Sequence, residues 1–527
     1  MLTHFPFILG MIIAIILIIM LSNKIKIAYP ILLVVAGLLI SLIPSVPNIK
    51  IDSQWIFILF LPPLLYEAAW TISWKELWFW RRIVSSFAFV VVFLTAISVA
   101  YVANAFIPGI SIALGFLLGG IVSPPDAVSA SAILQNVEVP KRMSIILEGE
   151  SLLNDASSLI IFRFAMIAVG TGQFVWHEAA LSFLWMIVGG GIIGLLLGYI
   201  IMKFHQLLPT DANMDTLITL VTPYTIYLAA EEVHSSGVLA VVCGGLFLSY
   251  HKYAFLKRSS RLRNENVWSS LVFLLNGIVF FIIGLDLPEI LQGLQSEGIS
   301  LGLATKYGLI ITGTLILGRI IAAYGAVVVT LIMRNFITVA DSSNPGFKVP
   351  IILGWTGMRG VVSLAAALSI PVYLKNGTPF PHRNLILYIT FVVILGTLII
   401  QGLTLPILLK KFQLPKYKDH YPEHEATAIL KNDLAKASLE YIQTNYSVDA
   451  IQNFHLKKMV LQWEKQLEAE DELEMSNNAK KIYLDILDLQ RKKLIEKNRT
   501  EPKMDEDVIN KYLHLIDLEE EKIKAKV

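Results

Sequence analysis

IILEGESLLNDASSLIIFRFAMIAVG (145–170) is long and apolar enough to cross a bilayer, yet it carries Glu148, Glu150, Ser151, Asn154 and Asp155. A span needs ~20 mostly apolar residues. A carboxylate at that depth costs on the order of 3 kcal/mol on insertion scales, so a chain that keeps several there is read as using them to hold a cation or a proton. Helical spacing sorts them, because positions four apart share a face. Ser151 and Asp155 point one way, and together they offer hard oxygen ligands. Glu150 and Asn154 lie on an adjacent stripe, where Glu150 can meet a neighbour on another helix.

Composition supports the same class. Only 16% of the 527 residues are charged and 55% are hydrophobic, against roughly 25% charged in a soluble domain. Apolar runs continue to about Lys410, and a charged tail follows. The expected domains are therefore a transmembrane unit over 1–412 and a cytoplasmic helical unit over 413–527. The net charge of +2 does not argue for nucleic acid, since the basic residues fall in short loops between apolar runs. A single cysteine, Cys243, excludes an intrachain disulfide and a cysteine-based metal site. The N-terminus lacks a basic n-region and a small-residue cleavage site, so 5–22 reads as a retained first span.

Spans are predicted at roughly 5–22, 27–44, 54–72, 84–107, 110–135, 145–170, 178–205, 213–230, 235–251, 267–285, 304–334, 349–374 and 384–411, about thirteen in all. The eighth and ninth are split only by Glu231, Glu232 and His234. Loop charge alternates. One set holds Lys24, Lys26, Lys75, Arg81, Arg82, Lys141, Arg142, Lys203, Lys252, Lys257, Arg258, Arg261, Arg263, Arg334 and Lys348; the other holds Lys50, Lys375 and Arg383. The positive-inside rule places the rich set in the cytoplasm, the N-terminus outside and the tail inside.

Four segments carry polar groups to a similar depth. Pro62 and Pro63 precede Glu67; Ser123, Pro124 and Pro125 precede Asp126; the sixth span has Glu150 to Asp155; and Gly354 to Gly360, with Thr356, Gly357 and Arg359, interrupts the twelfth. From the helical rise, Asp126, Asp155 and Arg359 each lie about 15 Å in, with Glu67 shallower. A helical proline has no N–H and clashes with the carbonyl four residues back. Pro124 and Pro125 should therefore free the carbonyls of Gly120 and Ile121. Unwound backbone at this depth is tolerated only where it is buried or lines a cavity. Two interrupted helices in corresponding halves, the fifth span and the twelfth, point to a transporter site. Asp126 and Arg359 would offset opposite helix-end dipoles.

Bland roles compete with these. Glu150 reads as one half of an ion pair with Arg359. Arg163 and Arg319 read as structural partners or interface snorkellers, and Glu67 as either a ligand or a snorkelling group. Glu231, Glu232, Asp286 and Glu289 read as solvated residues near outward loops, and Glu148 as a residue of the cytoplasmic rim.

EGESLLNDASSLIIFRFA (148–165) resembles the signature helix of the NhaP-type sodium/proton antiporters, the electroneutral branch of the monovalent cation/proton antiporters. FLPPLLYEAAW (60–70), GGIVSPPDAVSA (119–130), FLLNGIVFFIIGLDLP (273–288) and GWTGMRGVVSLAAALSIP (354–371) match further family segments in order. The resemblance implies an all-α polytopic fold of two inverted repeats, crossing broken helices 5 and 12, and a homodimer in the cell membrane. It further implies Asp155 as the ion-binding, proton-carrying carboxylate with Asn154 beside it, Asp126, Ser151 and Glu67 in or next to the ion shell, and a Glu150–Arg359 pair. Many relatives have Thr-Asp-Pro at the first break. Here the threonine position is Pro125, which offers only its carbonyl oxygen.

The expected activity is exchange of a monovalent cation, Na⁺ foremost, for H⁺, with both competing for Asp155. Asn154 stands where the electrogenic branch has a second aspartate, which leaves one titrating carboxylate and predicts electroneutral exchange. No cofactor is implied beyond the transported ions, and no enzymatic activity. Potassium/proton exchange is the nearest alternative. A passive channel would want a continuous pore from symmetric subunits. An aspartyl protease using Asp126 and Asp155 lacks a Gly-Asp motif and would have Arg359 nearby.

Overall fold

The structure is a computed structural model, and it describes residues 5–25, 28–43, 53–126, 130, 141–172, 176–333, 346–374, 377–412, 423–445, 454–468, 477–500, 512–513, 515–520 and 523. The described elements are helices, with an isolated bridge between Tyr373 and Pro379. The chain forms two compact units, Met1–Lys416 and Tyr417–Val527.

In the first unit the helices are α1 (Phe5–Ile25), α2 (Tyr29–Ser41), α3 (Ser53–Thr71), α4 (Trp74–Ser85), α5 (Val92–Phe106), α6 (Ile112–Val122), α7 (Lys141–Thr171), α8 (Trp176–Leu207), α9 (Ala212–Glu232), α10 (Gly237–Phe255), α11 (Arg258–Leu285), α12 (Leu287–Ser296), α13 (Leu301–Met333), α14 (Lys348–Trp355), α15 (Val361–Leu368) and α16 (Arg383–Phe412). A π-helical turn, Ser86–Val91, joins α4 to α5 without a break. Among the described residues, eight stretches are long and apolar enough to cross a membrane, and Tyr29–Ser41 and Ile112–Val122 are shorter apolar helices. Each of the thirteen predicted spans contains helix, and the doubtful pair 213–230 and 235–251 is resolved as α9 and α10. The end of the fifth span, 127–129 and 131–135, lies outside the described residues.

Local chemistry fixes several helix starts. Ser111, Asp211 and Ser236 are N-caps whose side-chain oxygens accept from the backbone N–H of Leu114, Met214 and Leu239; each satisfies one of the orphan donors at its helix start. The helices then sort into two bundles by packing. One is built on α1, α2, α3, α8, α9, α10 and α11, with α10 against α8 and α11 against α2 as its main seams. The other contains α4 to α7 and α13 to α16, with α6 wedged between α5 and α7. The first is the scaffold bundle and the second the site bundle. Thinner contacts of α7 and α15 with α3, α10 and α11 join them, and α12 lies against α16.

The scaffold bundle holds a polar cluster with no counterpart in the sequence reading. His205 Nδ1 lies 2.8 Å from Asp215 Oδ1, Ser260 donates to Asp215 Oδ2 at 2.6 Å, and all three residues are buried. It ties α8, α9 and α11 together.

The second unit contains α17 (Glu423–Asn445), α18 (Phe454–Glu468) and α19 (Asn477–Thr500). Leu487, Ile516 and Ile523 form a small apolar cluster. Arg491 gathers Asp517 at 2.9 Å and Glu520 at 2.6 Å. Most of 501–527 lies outside the described residues.

Candidate functional site

Two helices of the site bundle are interrupted where the sequence has its proline pair and its glycine-rich stretch. α6 stops at Val122, before Pro124 and Pro125. α14 stops at Trp355 and α15 resumes at Val361. The two breaks are joined through their backbones. Unable to continue α6 past two prolines, the Asp126 N–H turns away from Val122 and donates to the Met358 carbonyl at 2.7 Å. Val122's carbonyl, left without its helical donor, accepts instead from Arg359 Nε. Arg359 also donates through Nη1 to the Gly357 carbonyl, and its own N–H is received by Thr397 Oγ1 at 3.1 Å. Each break supplies what the other lacks, as buried backbone groups require.

Charge placement follows. Arg359 lies at the C-terminal end of α6, whose exposed carbonyls carry partial negative charge. Asp126 lies against the N-terminal end of α15: a Cβ added at Gly360, the N-cap, would come within 1.9 Å of Asp126 Oδ2. Only a residue without a side chain admits the carboxylate there.

α7 passes beside this crossing. Pro125's carbonyl, freed by the break, receives Asn154 Nδ2 at 3.4 Å and Ser151 Oγ at 3.5 Å. The position where relatives have a threonine thus contributes its carbonyl oxygen to the same polar layer. Asn154 is fully buried, and its Oδ1 has no hydrogen-bond partner among the described residues. Asp155 is 7% exposed, and among the described residues no donor or cation is paired with its carboxylate. The charged group that acts on it is Asp126. Ser157, one turn further, donates to the Ala88 carbonyl at 2.5 Å and to its own helix. Ala88 belongs to the π-helical turn, whose looser backbone presents that carbonyl.

Accessibility is graded along the Asp155 face of α7. Glu148 is exposed, Ser151 partly buried, Asp155 nearly closed off and Ser158 fully buried. Of these four, Glu148 is the most open and Ser158 the most closed. Glu67 on α3 is also partly buried, and the charge acting on it is Glu148. Glu67 thus goes with Glu148, and Asp126 is the carboxylate that acts on Asp155.

The expected Glu150–Arg359 pair is corrected. Glu150's carboxylate is held by Arg319 of α13, whose Nη2 lies 2.7 Å from Oε1 and 2.8 Å from Oε2. Both residues are essentially inaccessible to solvent. Depth along the sequence put Arg359 and Glu150 in one layer but could not say which way either helix was turned. Arg359 stays within electrostatic reach of Glu150 while its hydrogen bonds go to backbone carbonyls. The signal for Arg319 was present: an arginine in the middle of an apolar run must find a partner inside the protein. Gly357 makes room for it, since a Cβ there would come within 2.3 Å of Arg319 Cδ. Glu231 is corrected as well. It is not a solvated loop residue but the ion-pair partner of Arg163.

The profile described as "Sodium/hydrogen exchanger, transmembrane" matches residues 11–411. The chain belongs to the sodium/hydrogen exchanger family. It is 36% identical over 390 residues to the "Sodium, potassium, lithium and rubidium/H(+) antiporter" of Bacillus subtilis, a match covering 72% of this chain and 57% of that protein. It is 33% identical over 395 residues to the "Na(+)/H(+) antiporter ApNhaP" of Aphanothece halophytica, covering 74% and 70%. The fold is that of the sodium proton antiporter MjNhaP1 from Methanocaldococcus jannaschii, with a TM-score of 0.61 at 19% identity over 78% of this chain and 98% of that one. The chain thus spans less than two thirds of the length of the Bacillus relative. The crossing, α7 and Arg319 all fall inside the segment that defines the family.

Proposed function

We propose that this chain exchanges a monovalent cation, Na⁺ foremost, for H⁺ across the cell membrane by alternating access, with both ions competing for Asp155. The observation that carries the reading is the Asp155 carboxylate, buried and without a cationic partner among the described residues, beside Asp126 and the freed Pro125 carbonyl. A desolvated carboxylate is unfavourable as a bare charge. It is relieved either by a proton or by a hard cation that takes oxygen ligands, and the two reliefs exclude each other. Asp155, Asp126 and Ser151 supply side-chain oxygens, and the Pro125 carbonyl adds a backbone one. Asn154 is uncharged and locked to that carbonyl, so it positions the loop and adds no second titrating group. One proton per cation follows, hence electroneutral exchange.

Alternating access follows from the same charge. Rocking of the site bundle against the scaffold bundle would carry Asp155 from one side to the other. An empty, charged site is costly to move through an apolar seal, so movement is favourable only when occupied, and that rule yields exchange. The loop charges support a cytoplasmic Glu148 side, and this conformation is then inward-facing, with the N-terminus outside and the tail inside. A homodimer in the bilayer is part of the same proposal.

Potassium exchange is the second reading, favoured by the Bacillus relative's printed name, which includes potassium. The two are separated in proteoliposomes by pH-dye dequenching with each alkali cation added in turn. The same assay tests the main reading. Addition of Na⁺ should move protons, and an imposed voltage should leave the initial rate unchanged. Asp155→Asn should insert and fold as the parent does and show no cation-driven proton movement; parental exchange by that variant would refute the site.

A further inference from the structure

We propose that Arg163 and Glu231 form an outer latch, a salt bridge between the two bundles that closes the site to the outside and has to part in every cycle. This rests on the alternating-access reading. Arg163 is on α7, the helix that carries Asp155, and Glu231 is on α9 of the scaffold bundle. These helices otherwise have little direct contact, so the side chains bridge a boundary that packing does not.

Position gives the latch its direction. Arg163 lies eight residues beyond Asp155, about 12 Å along the helix and on the opposite side from exposed Glu148. Glu231 is in the last turn of α9, at the opposite end from the Asp211 cap. The pair therefore stands on the closed side of Asp155.

Glu231 is fixed to the scaffold. The Gly237 N–H, at the start of α10, donates to its Oε1 at 3.2 Å, which leaves Oε2 for Arg163. One carboxylate thus satisfies a helix N-terminus of the scaffold and receives the guanidinium of the site bundle. Arg163 is the half that leaves.

The buried arginine pair of the site bundle shows why this one can cycle. Glu150 and Arg319 both belong to the site bundle and are nearly inaccessible, at 0% and 2% side-chain exposure. Parting them would strand two charges away from water, so that pair holds its bundle together throughout. Arg163 and Glu231 are 41% and 29% exposed. Water can replace each partner as it leaves, so the contact is weak enough to break and still bias the closed state.

The single native cysteine makes the test direct. In a Cys243→Ser parent, Arg163→Cys and Glu231→Cys are joined by a short bis-methanethiosulfonate crosslinker and the protein is reconstituted. Crosslinking should reduce cation-driven proton movement to the protein-free background, and dithiothreitol should restore it. Exchange by the crosslinked protein at the uncrosslinked rate would overturn the latch.

A second arm is independent of transport. With Ser158→Cys in the same parent, Arg163→Glu or Glu231→Arg should raise labelling by an impermeant thiol reagent from outside about fivefold, the shift expected for losing a contact of about 1 kcal/mol. The swapped pair, Arg163→Glu with Glu231→Arg, restores the ion pair though not the Gly237 contact, and should lower labelling below that of either single variant. Equal labelling in all four proteins would overturn the latch. If the parent itself moves no protons on addition of any alkali cation, the exchange reading falls, while the labelling still decides on the latch.

Discussion

Glu150 and Arg319 illustrate how one buried pair constrains single substitutions. Each guanidinium or carboxylate is tolerable in a nearly inaccessible position only because the other is there. Arg319→Met alone leaves Glu150 charged and unpartnered, and should cost about 3–5 kcal/mol. Glu150→Leu together with Arg319→Met removes both charges and should recover most of that loss. Thermal unfolding in detergent, measured by intrinsic tryptophan fluorescence, checks the pattern; equal destabilisation by the single and double variants would show that the pair is not the cause. Gly360 sets a different constraint, one of space. Because a Cβ at 360 would come within 1.9 Å of Asp126 Oδ2, Gly360→Ala must push the carboxylate away from the α15 N-terminus. The expected result is an apparent KM for Na⁺ raised about tenfold, corresponding to about 1.4 kcal/mol, with normal insertion. An unchanged KM would mean that Asp126 does not act on the ion from that position. At this scale the sequence was informative about chemistry and silent about rotation. It marked Asp126, Asp155 and the glycine-rich stretch by depth and residue type. It could not orient α13, so the partner of Glu150 was assigned to Arg359, the arginine already in view.

The interrupted helices were legible because proline and glycine act locally. Two successive prolines remove two helical donors, and no tertiary contact can restore an N–H that proline lacks. What the sequence did not contain was the destination of the freed groups: Met358 receiving from Asp126, Val122 receiving from Arg359, and Pro125 receiving from Ser151 and Asn154. Those bonds depend on the crossing of α6 with the 356–360 break, a long-range arrangement. The prolines bias the chain towards it by making the continuous helix unfavourable by ~3 kcal/mol or more. Substituting both by alanine, Pro124→Ala with Pro125→Ala, removes that bias and lets α6 extend towards Asp126. Asp126 N–H would then compete between Val122 and Met358. We expect folding to be retained and the apparent KM for the cation to rise about tenfold, again about 1.4 kcal/mol, in the dye-dequenching assay. Parental KM in this variant would mean that the crossing is held by packing alone, and that Pro124 and Pro125 are incidental to it.

Across the whole molecule, segments of ~20 apolar residues were enough to anticipate a helical membrane protein. The two-bundle division was not legible in this way, since apolar surface facing lipid and apolar surface facing another helix read alike along a chain. Even so, the proposed site layer has a definite extent. Glu67, Asp126, Glu150, Asp155, Arg319 and Arg359 all lie within Met1–Lys416, and the family match ends at residue 411. The second unit has its own apolar cluster of Leu487, Ile516 and Ile523 and its own ion-pair cluster around Arg491. A chain ending at Lys416 should therefore insert and should retain cation-driven proton movement in proteoliposomes, within about twofold of the full chain, a difference of under 1 kcal/mol. Comparing initial rates from pH 6 to pH 9 adds the decisive control. Superimposable profiles would make the tail a separately folding appendage to the exchange reaction. A truncated protein that is well folded but inactive, or displaced along the pH axis, would show that residues 417–527 act on the site from outside the layer described here.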